Sequence, residues 1–149
     1  MQYANVWKKV LRDDEKVEYE FSIGKGYRML WLILLSLIGL LLLLSSPTIA
    51  IIWLAVFFFY FGFYLKVSNA YALTDKRVLI HKGWLSTHTI SIEYSKITDV
   101  TVREPFLERL ITKTGNLAIN TAGSSEKEVV LKHITSPYEV RKKLDSIRN

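Results

Sequence analysis

The sequence predicts a membrane-embedded helical hairpin attached to a small α+β domain, in which antiparallel strands are closed by a C-terminal helix. Three observations support this fold class. Residues 29–65 contain no Asp, Glu, Lys or Arg over 37 consecutive positions. Short, alternating apolar segments separated by turn residues fill most of the sequence after them, a pattern typical of strands. An amphipathic segment with a proline near its start ends the chain and indicates a helix.

The uncharged stretch is long enough for two membrane spans, because one span needs about 20 apolar residues. Pro47 disfavours helix through Ser46 and divides the stretch into spans over residues 28–45 and 48–65. A secretory signal would be shorter and would follow a basic start, whereas this stretch follows an acidic cluster at residues 13–15. We therefore expect a permanent two-span hairpin.

Charge asymmetry predicts the orientation of the hairpin. The turn between the spans has no Lys or Arg, while Lys25 and Arg28 precede the first span and Lys66 follows the second. By the positive-inside rule, the chain is a multi-pass protein of the cell (inner) membrane with both termini in the cytoplasm. Ionisable residues at membrane depth mark most ion and substrate pathways, and residues 29–65 contain none. The spans are therefore interpreted as an anchor and not as a transporter.

The segment before the hairpin predicts a short helix and a strand. Apolar residues, including Trp7, recur at helical spacing over residues 3–11. This stripe suits a helix in the headgroup region, with Lys8 and Lys9 on another face, or equally a helix packed on the chain's own sheet. Residues 17–23 alternate apolar and polar side chains and should join the sheet of the domain that follows the hairpin.

The sequence after the hairpin is rich in strand patterns and ends in a helix. Ser136 suits the N-cap of that helix, Pro137 its first position and Glu139 a capping box. The candidate strands cover residues 68–74, 77–82, 84–93, 97–103, 115–121 and 128–134, with a turn at 122–125. The predicted parts of the chain are an N-terminal helix and strand (1–27), a two-span transmembrane hairpin (28–65) and a cytoplasmic domain (66–149).

Five stretches of the sequence together carry a family resemblance. They are LRDDEKVEYEFSIG (11–24), YALTDKRVLIHKGWL (71–85), IEYSKITDVTV (92–102), FLERLITKTGNLAINTAG (106–123) and SPYEV (136–140). In this order they resemble the bacterial pleckstrin-homology-like (PH-like) membrane proteins, a family of small two-span proteins. The resemblance implies a seven-stranded, strongly bent antiparallel sheet closed by the last helix, and a binding or assembly module that is not an enzyme. PH domains that bind phosphoinositides use basic residues in a roomy loop between their first two strands, and the sequence predicts only the tight turn TDKR (74–77) at that connection.

No pattern in the sequence predicts a catalytic residue, a metal site or a cofactor. The chain has no cysteine, which excludes disulfides and thiolate chemistry. The three histidines lack the spacing of a paired metal-ligand motif, and core or half-buried strand positions fit His88 and His133. GKGYR (24–28) lacks the other positions of a phosphate loop and is interpreted as a flexible joint. The net charge of +6 suits an anionic membrane surface better than nucleic acid.

These features predict a non-enzymatic, membrane-anchored binding or assembly module at the cytoplasmic face, in a homo-oligomer or a heteromeric membrane complex. Two alternatives stay open, a sensor of anionic lipid and an accessory subunit of a transporter or membrane enzyme. Strand geometry brings the HKGW turn (81–84) back toward the membrane, and RKK (141–143) is the densest basic run. The residues predicted to contact the membrane or a partner are Trp7, Lys8, Lys9, Arg28, Lys66, Lys82, Trp84, Arg141, Lys142 and Lys143.

Overall fold

The computed structural model describes residues 3–122 and 128–148. Within this part of the chain, seven strands form an antiparallel sheet in the order β1-β2-β3-β4 and a second antiparallel sheet in the order β5-β6-β7. The number of strands agrees with the family resemblance, but two sheets replace the single bent sheet, and a bridge between Ile23 and Ile134 connects them. The strands are β1 (Val17–Ser22), β2 (Asn69–Thr74), β3 (Arg77–Lys82), β4 (His88–Glu93), β5 (Ile97–Arg103), β6 (Thr114–Thr121) and β7 (Glu128–Thr135).

β1 lies on the far side of the apolar stretch in sequence, yet it is part of the first sheet. It pairs antiparallel with β2, from Val17 opposite Thr74 to Ser22 opposite Ala70. The expectation that this segment joins the sheet is confirmed, so the N-terminal residues belong to the same folded unit as the C-terminal ones. The hairpin therefore connects the first two strands. The tight TDKR turn connects β2 to β3, which corrects the position expected for it.

Two apolar helices fill the connection between β1 and β2. The first apolar helix is Lys25–Ser45 and the second is Pro47–Val67, and both are long and apolar enough to cross a membrane by length and composition. Only Ser46 separates them, as the proline in the sequence predicts. The second helix is α-helical to Phe57, π-helical over Phe58–Tyr64 and α-helical again at its end.

The two apolar helices pack closely at one level. Gly39 and Ala50 are the residues that the structure buries in these two α-helical segments. Nearby, the Trp53 indole Nε1 donates a hydrogen bond to the Leu35 carbonyl oxygen at 3.1 Å. Small residues at a contact between two helices let the helix backbones approach one another closely. The helices are thus in close contact where Gly39 faces Leu54 and Trp53, and the Trp53 hydrogen bond strengthens this contact.

The main hydrophobic core lies between the two sheets and the C-terminal helix Pro137–Arg148. The helix begins at Pro137, as predicted, and contributes Val140 and Leu144, both fully buried. Most of the other buried members come from alternate positions of the strands, as expected when one face of a sheet is covered, and Tyr94 lies in the short helical turn between β4 and β5. These are Tyr71, Leu73, Val78, Ile80, Ile92, Tyr94, Ile97, Val100, Leu117, Ile119, Val129, Leu131 and Ile134.

A second, smaller core covers the opposite face of β2 and β3. The N-terminal helix spans Ala4–Trp7, shorter than the stripe of residues 3–11 suggests. Trp7 is 0% exposed and packs on Ala70, Ala72 and Leu79. The prediction that Trp7 contacts the membrane is therefore wrong. The indole can be buried here because two alanines on this face of β2 leave room for it. Packing on the chain's own sheet is the alternative that the structure adopts.

The loop between β3 and β4 is longer than predicted. β4 begins at His88 and not at residue 84, and His88 is exposed. Gly83 has a φ of 101°, a conformation that L side chains rarely adopt. A Cβ atom at this position would also come closer than 3.0 Å to the Ser86 carbonyl oxygen. The chain therefore turns sharply at Gly83 and projects residues 84 and 85 out of the sheet.

A buried ion pair joins the N-terminal segment to the turn between β2 and β3. Arg77 donates from Nη2 to Glu15 Oε2 at 2.7 Å and from Nε to Glu15 Oε1 at 2.8 Å. Thr74 Oγ1 donates to the same carboxylate at 2.7 Å, and Arg77 Nη2 also donates to the Val10 carbonyl oxygen at 3.1 Å. The hydrogen bonds from Arg77, and then that from Thr74, outweigh burial and lower the pKa of Glu15 to about 2.

We expect Glu15→Gln to lower the free energy of unfolding by about 3 kcal/mol, because it leaves the Arg77 guanidinium buried without its charged partner. The pKa of Glu15 is lower in the folded chain, about 2, than its ordinary value of 4.5. The wild-type pair therefore stabilises the fold fully above about pH 4.5, and this contribution is lost as the pH falls toward 2. Thermal unfolding of the detergent-solubilised chain at neutral pH and at about pH 3 measures both effects.

The matched control for this substitution is Glu128→Gln, which changes an exposed carboxylate on β7. It should unfold like the wild type at both pH values. The Glu15 variant should lose less stability on acidification than the wild type does, and an equal loss in the two proteins would contradict the role given to this pair.

Candidate functional site

A cavity of about 440 Å³ lies where the base of the helical hairpin meets the two sheets. It is lined by the end of β1, the first turn of the first apolar helix, the end of the second, the residues before β6 and the start of the C-terminal helix. We call it the basal cavity. Parts of the chain that are distant in sequence thus surround one space.

The charge of the basal cavity is strongly positive. Lys25, Arg28, Lys66 and Lys113 line it, against one carboxylate among the described lining residues, that of Glu139. Like charges that are held together repel one another, so a site of this kind is stabilised by an anion. Arg28 and Lys66, which the sequence predicts as contact residues, both line this cavity. Lys113 is not predicted, because nothing in the sequence around residue 113 shows that the loop before β6 returns to the hairpin.

Arg28 connects the cavity to the second apolar helix. Its Nη1 donates to the Gly62 carbonyl oxygen at 3.2 Å, within the π-helical stretch. Its Nε is buried and has no hydrogen-bond partner among the residues that the structure describes. An unsatisfied buried donor is costly. A guanidinium has five N–H donors, so Arg28 in the lining of a basic cavity is suited to bind an anionic oxygen.

Two glycines let the domain approach the first apolar helix closely. A Cβ atom at Gly24 would meet Thr114 and Thr135 side chains closer than 3.0 Å. A Cβ atom at Gly26 would meet the Thr112 carbonyl oxygen closer than 3.0 Å. GKGYR is therefore a tightly packed junction, which corrects its interpretation as a flexible joint.

Aromatic and polar contacts also fix the base of the first apolar helix. The Tyr27 ring stacks on the His133 ring, with centroids 3.9 Å apart and an interplanar angle of 12°. His133 Nδ1 lies 3.0 Å from Glu108 Oε2, and the Gly24 amide donates to the His133 carbonyl oxygen at 2.7 Å. The helix, β7 and the segment before β6 thus form one contact unit.

Three residues around this junction have left-handed backbone conformations. They are Lys113 (φ 52°), His133 (φ 53°) and Ser136 (φ 47°). This conformation costs a non-glycine residue about 1–2 kcal/mol and persists only where the surroundings impose it. The Ser136 amide donates to the Lys113 carbonyl oxygen at 3.3 Å. Backbone strain is therefore concentrated where Lys113 and Ser136 enter the lining of the basal cavity.

A second cavity, of about 480 Å³, lies beside the end of the second apolar helix and is lined by Lys9, Val67, His81 and Trp84 among others. The Trp84 ring packs edge-on against the rings of Phe59 and Phe63, with centroids 5.8 and 5.7 Å away. The turn that carries Trp84 thus contacts the hairpin, and Lys9 and Trp84 share one space.

The remaining predicted contact residues lie outside both cavities. Lys8 is exposed and Lys82 is half-exposed. Of the basic run on the C-terminal helix, Arg141 and Lys142 are exposed, Lys143 is half-exposed, and Arg141 Nε lies 3.8 Å from Asp145 Oδ2. In residues 3–122 and 128–148, no group of three or more His, Cys, Asp or Glu side chains is arranged to hold a metal ion.

Comparison with known families identifies the fold. The sequence profile described as "Bacterial PH domain" matches residues 23–148. The chain belongs to this family. The resemblance expected from the sequence is confirmed, and the match includes both apolar helices, so this bacterial PH domain contains the hairpin within the matched region.

Two solved structures have a similar fold to this bacterial PH domain. One is a DUF1696 family protein with a pleckstrin-homology domain from Shewanella loihica PV-4, with a TM-score of 0.54, 12% identity, and 99% of this chain and 95% of that one covered. The other is a pleckstrin homology domain from Shewanella amazonensis SB2B, with a TM-score of 0.55, 14% identity and coverage of 99% and 86%. At these identities the likeness shows the fold alone. A search of curated proteins found no significant match.

We expect Gly26→Ala to destabilise this bacterial PH domain by about 1–3 kcal/mol, because the new methyl group forces the backbone at Thr112 away from the hairpin base. Thermal unfolding in detergent measures the change. Gly62→Ala is the matched control, since a Cβ atom there has nothing within 4 Å, and it should be neutral or slightly stabilising. Equal stability of the two variants would contradict the tight junction.

Proposed function

We propose that this bacterial PH domain is a non-enzymatic docking module, held at the cytoplasmic face of the cell membrane by its own helical hairpin. The observation that carries the proposal is the position of the apolar helices. Both of their outer ends continue into paired strands, β1 and β2. If the helices lie in a membrane, a hairpin of this kind therefore holds both sheets at the membrane surface.

The exposed surface of the helices supports insertion in a membrane. In the most apolar stretch of each helix, only 6% of the residues are buried, whereas the core helix of a water-soluble protein is mostly buried. Such apolar surface needs an apolar cover, and a bilayer matches helices of this length. Removal of the first helix as a signal sequence would also remove β1, which pairs with β2, and Trp7, which fills the second core.

The proposed orientation rests on the positive charges at the base of the hairpin. Lys25, Arg28 and Lys66 are at this end, and the turn at Ser46 has no Lys or Arg nearby. The basic end of a helical hairpin normally stays in the cytoplasm. The domain and both termini would then share that compartment.

Tethering is the proposed mechanism. A domain confined to the membrane surface meets other membrane proteins at a high effective concentration, so weak contacts suffice for assembly. β4 is one edge strand of the first sheet and β5 is one edge strand of the second, and edge strands of this kind can pair with another strand. We expect the partner to be a second copy of the chain or another membrane protein, including a transporter or enzyme to which the chain is an accessory subunit.

A second candidate function, recognition of anionic lipid, is favoured by the basal cavity. Four cations face one carboxylate among its described lining residues, at the end of the hairpin where headgroups would lie. Basic pockets beside membrane helices bind the headgroups of anionic lipids. This function is compatible with docking, because a bound headgroup would stabilise the same junction.

The orientation can be tested with single introduced cysteines, since the chain has none of its own. The Ser46→Cys substitution lies in the turn between the helices, and Ser95→Cys lies at an exposed position between β4 and β5. In intact cells, an impermeant maleimide should label the Ser46→Cys variant before lysis and the Ser95→Cys variant only after it. The opposite result would reverse the orientation, and extraction of the protein without detergent would exclude membrane insertion.

Recognition of anionic lipid can be tested on the detergent-solubilised full chain. Lys113→Gln should weaken binding of a short-chain phosphatidylglycerol about fivefold, since each cation near such a headgroup contributes about 1 kcal/mol. A short-chain phosphatidylcholine should bind weakly to both proteins. The control Lys142→Gln removes an exposed cation outside the basal cavity, and an equal loss in the two variants would indicate attraction by net charge alone.

A further inference from the structure

The short helical segment before β6 exposes an unusual amount of apolar surface. Phe106 is 70% exposed, Leu107 65%, Leu110 66% and Ile111 56%. We call residues 106–111 the apolar segment. Its helix ends at Thr112, which is buried. One side of this segment therefore packs on the protein, while four large apolar side chains on the other side are largely exposed.

The packed side of the segment is fixed to the base of the first apolar helix. Glu108 lies against His133, which stacks on Tyr27. Thr112 Oγ1 donates to the Glu108 carbonyl oxygen at 2.8 Å, and the backbone of Thr112 lies directly against Gly26. The apolar segment is thus held beside residues 26 and 27, at the point where the hairpin leaves the domain.

We propose that the apolar segment inserts into the same bilayer as the hairpin and forms a second membrane contact. The proposal rests on the proposed function, because it takes the hairpin as membrane-inserted. The segment lies beside the start of the first helix, where the apolar side chain of Met29 is 60% exposed. The exposed cations Arg103 and Lys113 flank the segment and the exposed Arg109 lies within it, an arrangement suited to a short apolar element among anionic headgroups.

A second exposed apolar tip of the domain lies beside the other leg of the hairpin. Leu85 is 90% exposed and follows Trp84, which packs on Phe59 and Phe63 of the second helix. Each leg of the hairpin is therefore accompanied by an apolar loop of the domain. Contacts on both legs would set the tilt of the sheets on the membrane and would hold the basal cavity against the headgroups.

The test uses the full chain, reconstituted in nanodiscs, with an environment-sensitive fluorophore on one introduced cysteine. The reporters are Leu110→Cys in the apolar segment, Leu34→Cys in the hairpin and Ser95→Cys at an exposed position of the domain. The lipids carry a spin label either near the headgroup end or near the methyl end of one acyl chain, and each label quenches fluorophores at its own depth. We expect blue-shifted emission and quenching at positions 34 and 110, and neither at position 95.

Each other result has a distinct meaning. Quenching at position 34 but not at 110 would overturn the second contact and leave the anchored module intact. A blue shift at 110 without quenching would also overturn it, since it would indicate a protein contact. The absence of quenching at both positions would overturn the proposed function itself.

A second variant separates insertion from folding. Leu107→Asp adds a charge at an exposed position of the apolar segment, so it should leave the thermal unfolding midpoint in detergent unchanged. It should reduce the quenching of a reporter at position 110 but not at position 34. Undiminished quenching at 110 in this variant would count against burial of the segment in lipid.

Discussion

The pairing of β1 with β2 is the constraint on which the rest of the molecule depends. Ser22 lies opposite Ala70, so the chain must leave the sheet and return to it at adjacent positions. Two antiparallel helices of equal length satisfy this condition, because the second helix ends at the level of the sheet at which the first begins.

Side chains complete the junction at the end of the second helix, where backbone carbonyls lack helical partners. Asn69 Nδ2 donates to the Leu65 carbonyl oxygen at 3.1 Å, and the Tyr3 hydroxyl donates to that of Lys66 at 3.1 Å.

The electrostatics of the junction follow from the same geometry. The first apolar helix begins with Lys25 and has no acidic residue in its first turn, although a helix N-terminus carries partial positive charge. Lys66 and Lys113 add to this field across the basal cavity. Arg28 is offset in part by the Gly62 carbonyl, but Glu139 is the one carboxylate among the described lining residues. This unbalanced charge is the basis of the anionic-lipid site proposed above.

Much of the fold could be predicted from the sequence, because its signals are local. The uncharged stretch predicts the two helices, Pro47 predicts where they divide, and the alternation of apolar and polar residues over 17–23 predicts β1. The burial of Trp7 could not be predicted, since an amphipathic stripe does not identify its partner. The alanines at positions 70 and 72 are a signal for it, but one that is visible only once the register of β2 is known.

The candidate site was less predictable, because it is built from long-range contacts. Arg28 and Lys66 flank the apolar stretch and could be selected from sequence, but Lys113 reaches them only through the packing of Thr112 on Gly26. The position of the TDKR turn could not be predicted for a related reason. The first connection of the sheet is the whole hairpin and not a short turn, so TDKR forms the second connection.

The junction between helices and sheets determines how such a module can work. Only Ile23 and Gly24 separate β1 from the first helix, and only Ser68 separates the second helix from β2. Linkers this short leave no length for free movement, and the stacking of Tyr27 on His133 restricts rotation further. A flexible tether raises effective concentration but spreads it over many orientations, whereas a rigid one presents a single surface at a fixed height. In the proposed membrane-bound state, a partner would therefore be selected by its own height and orientation at the membrane as well as by its chemistry.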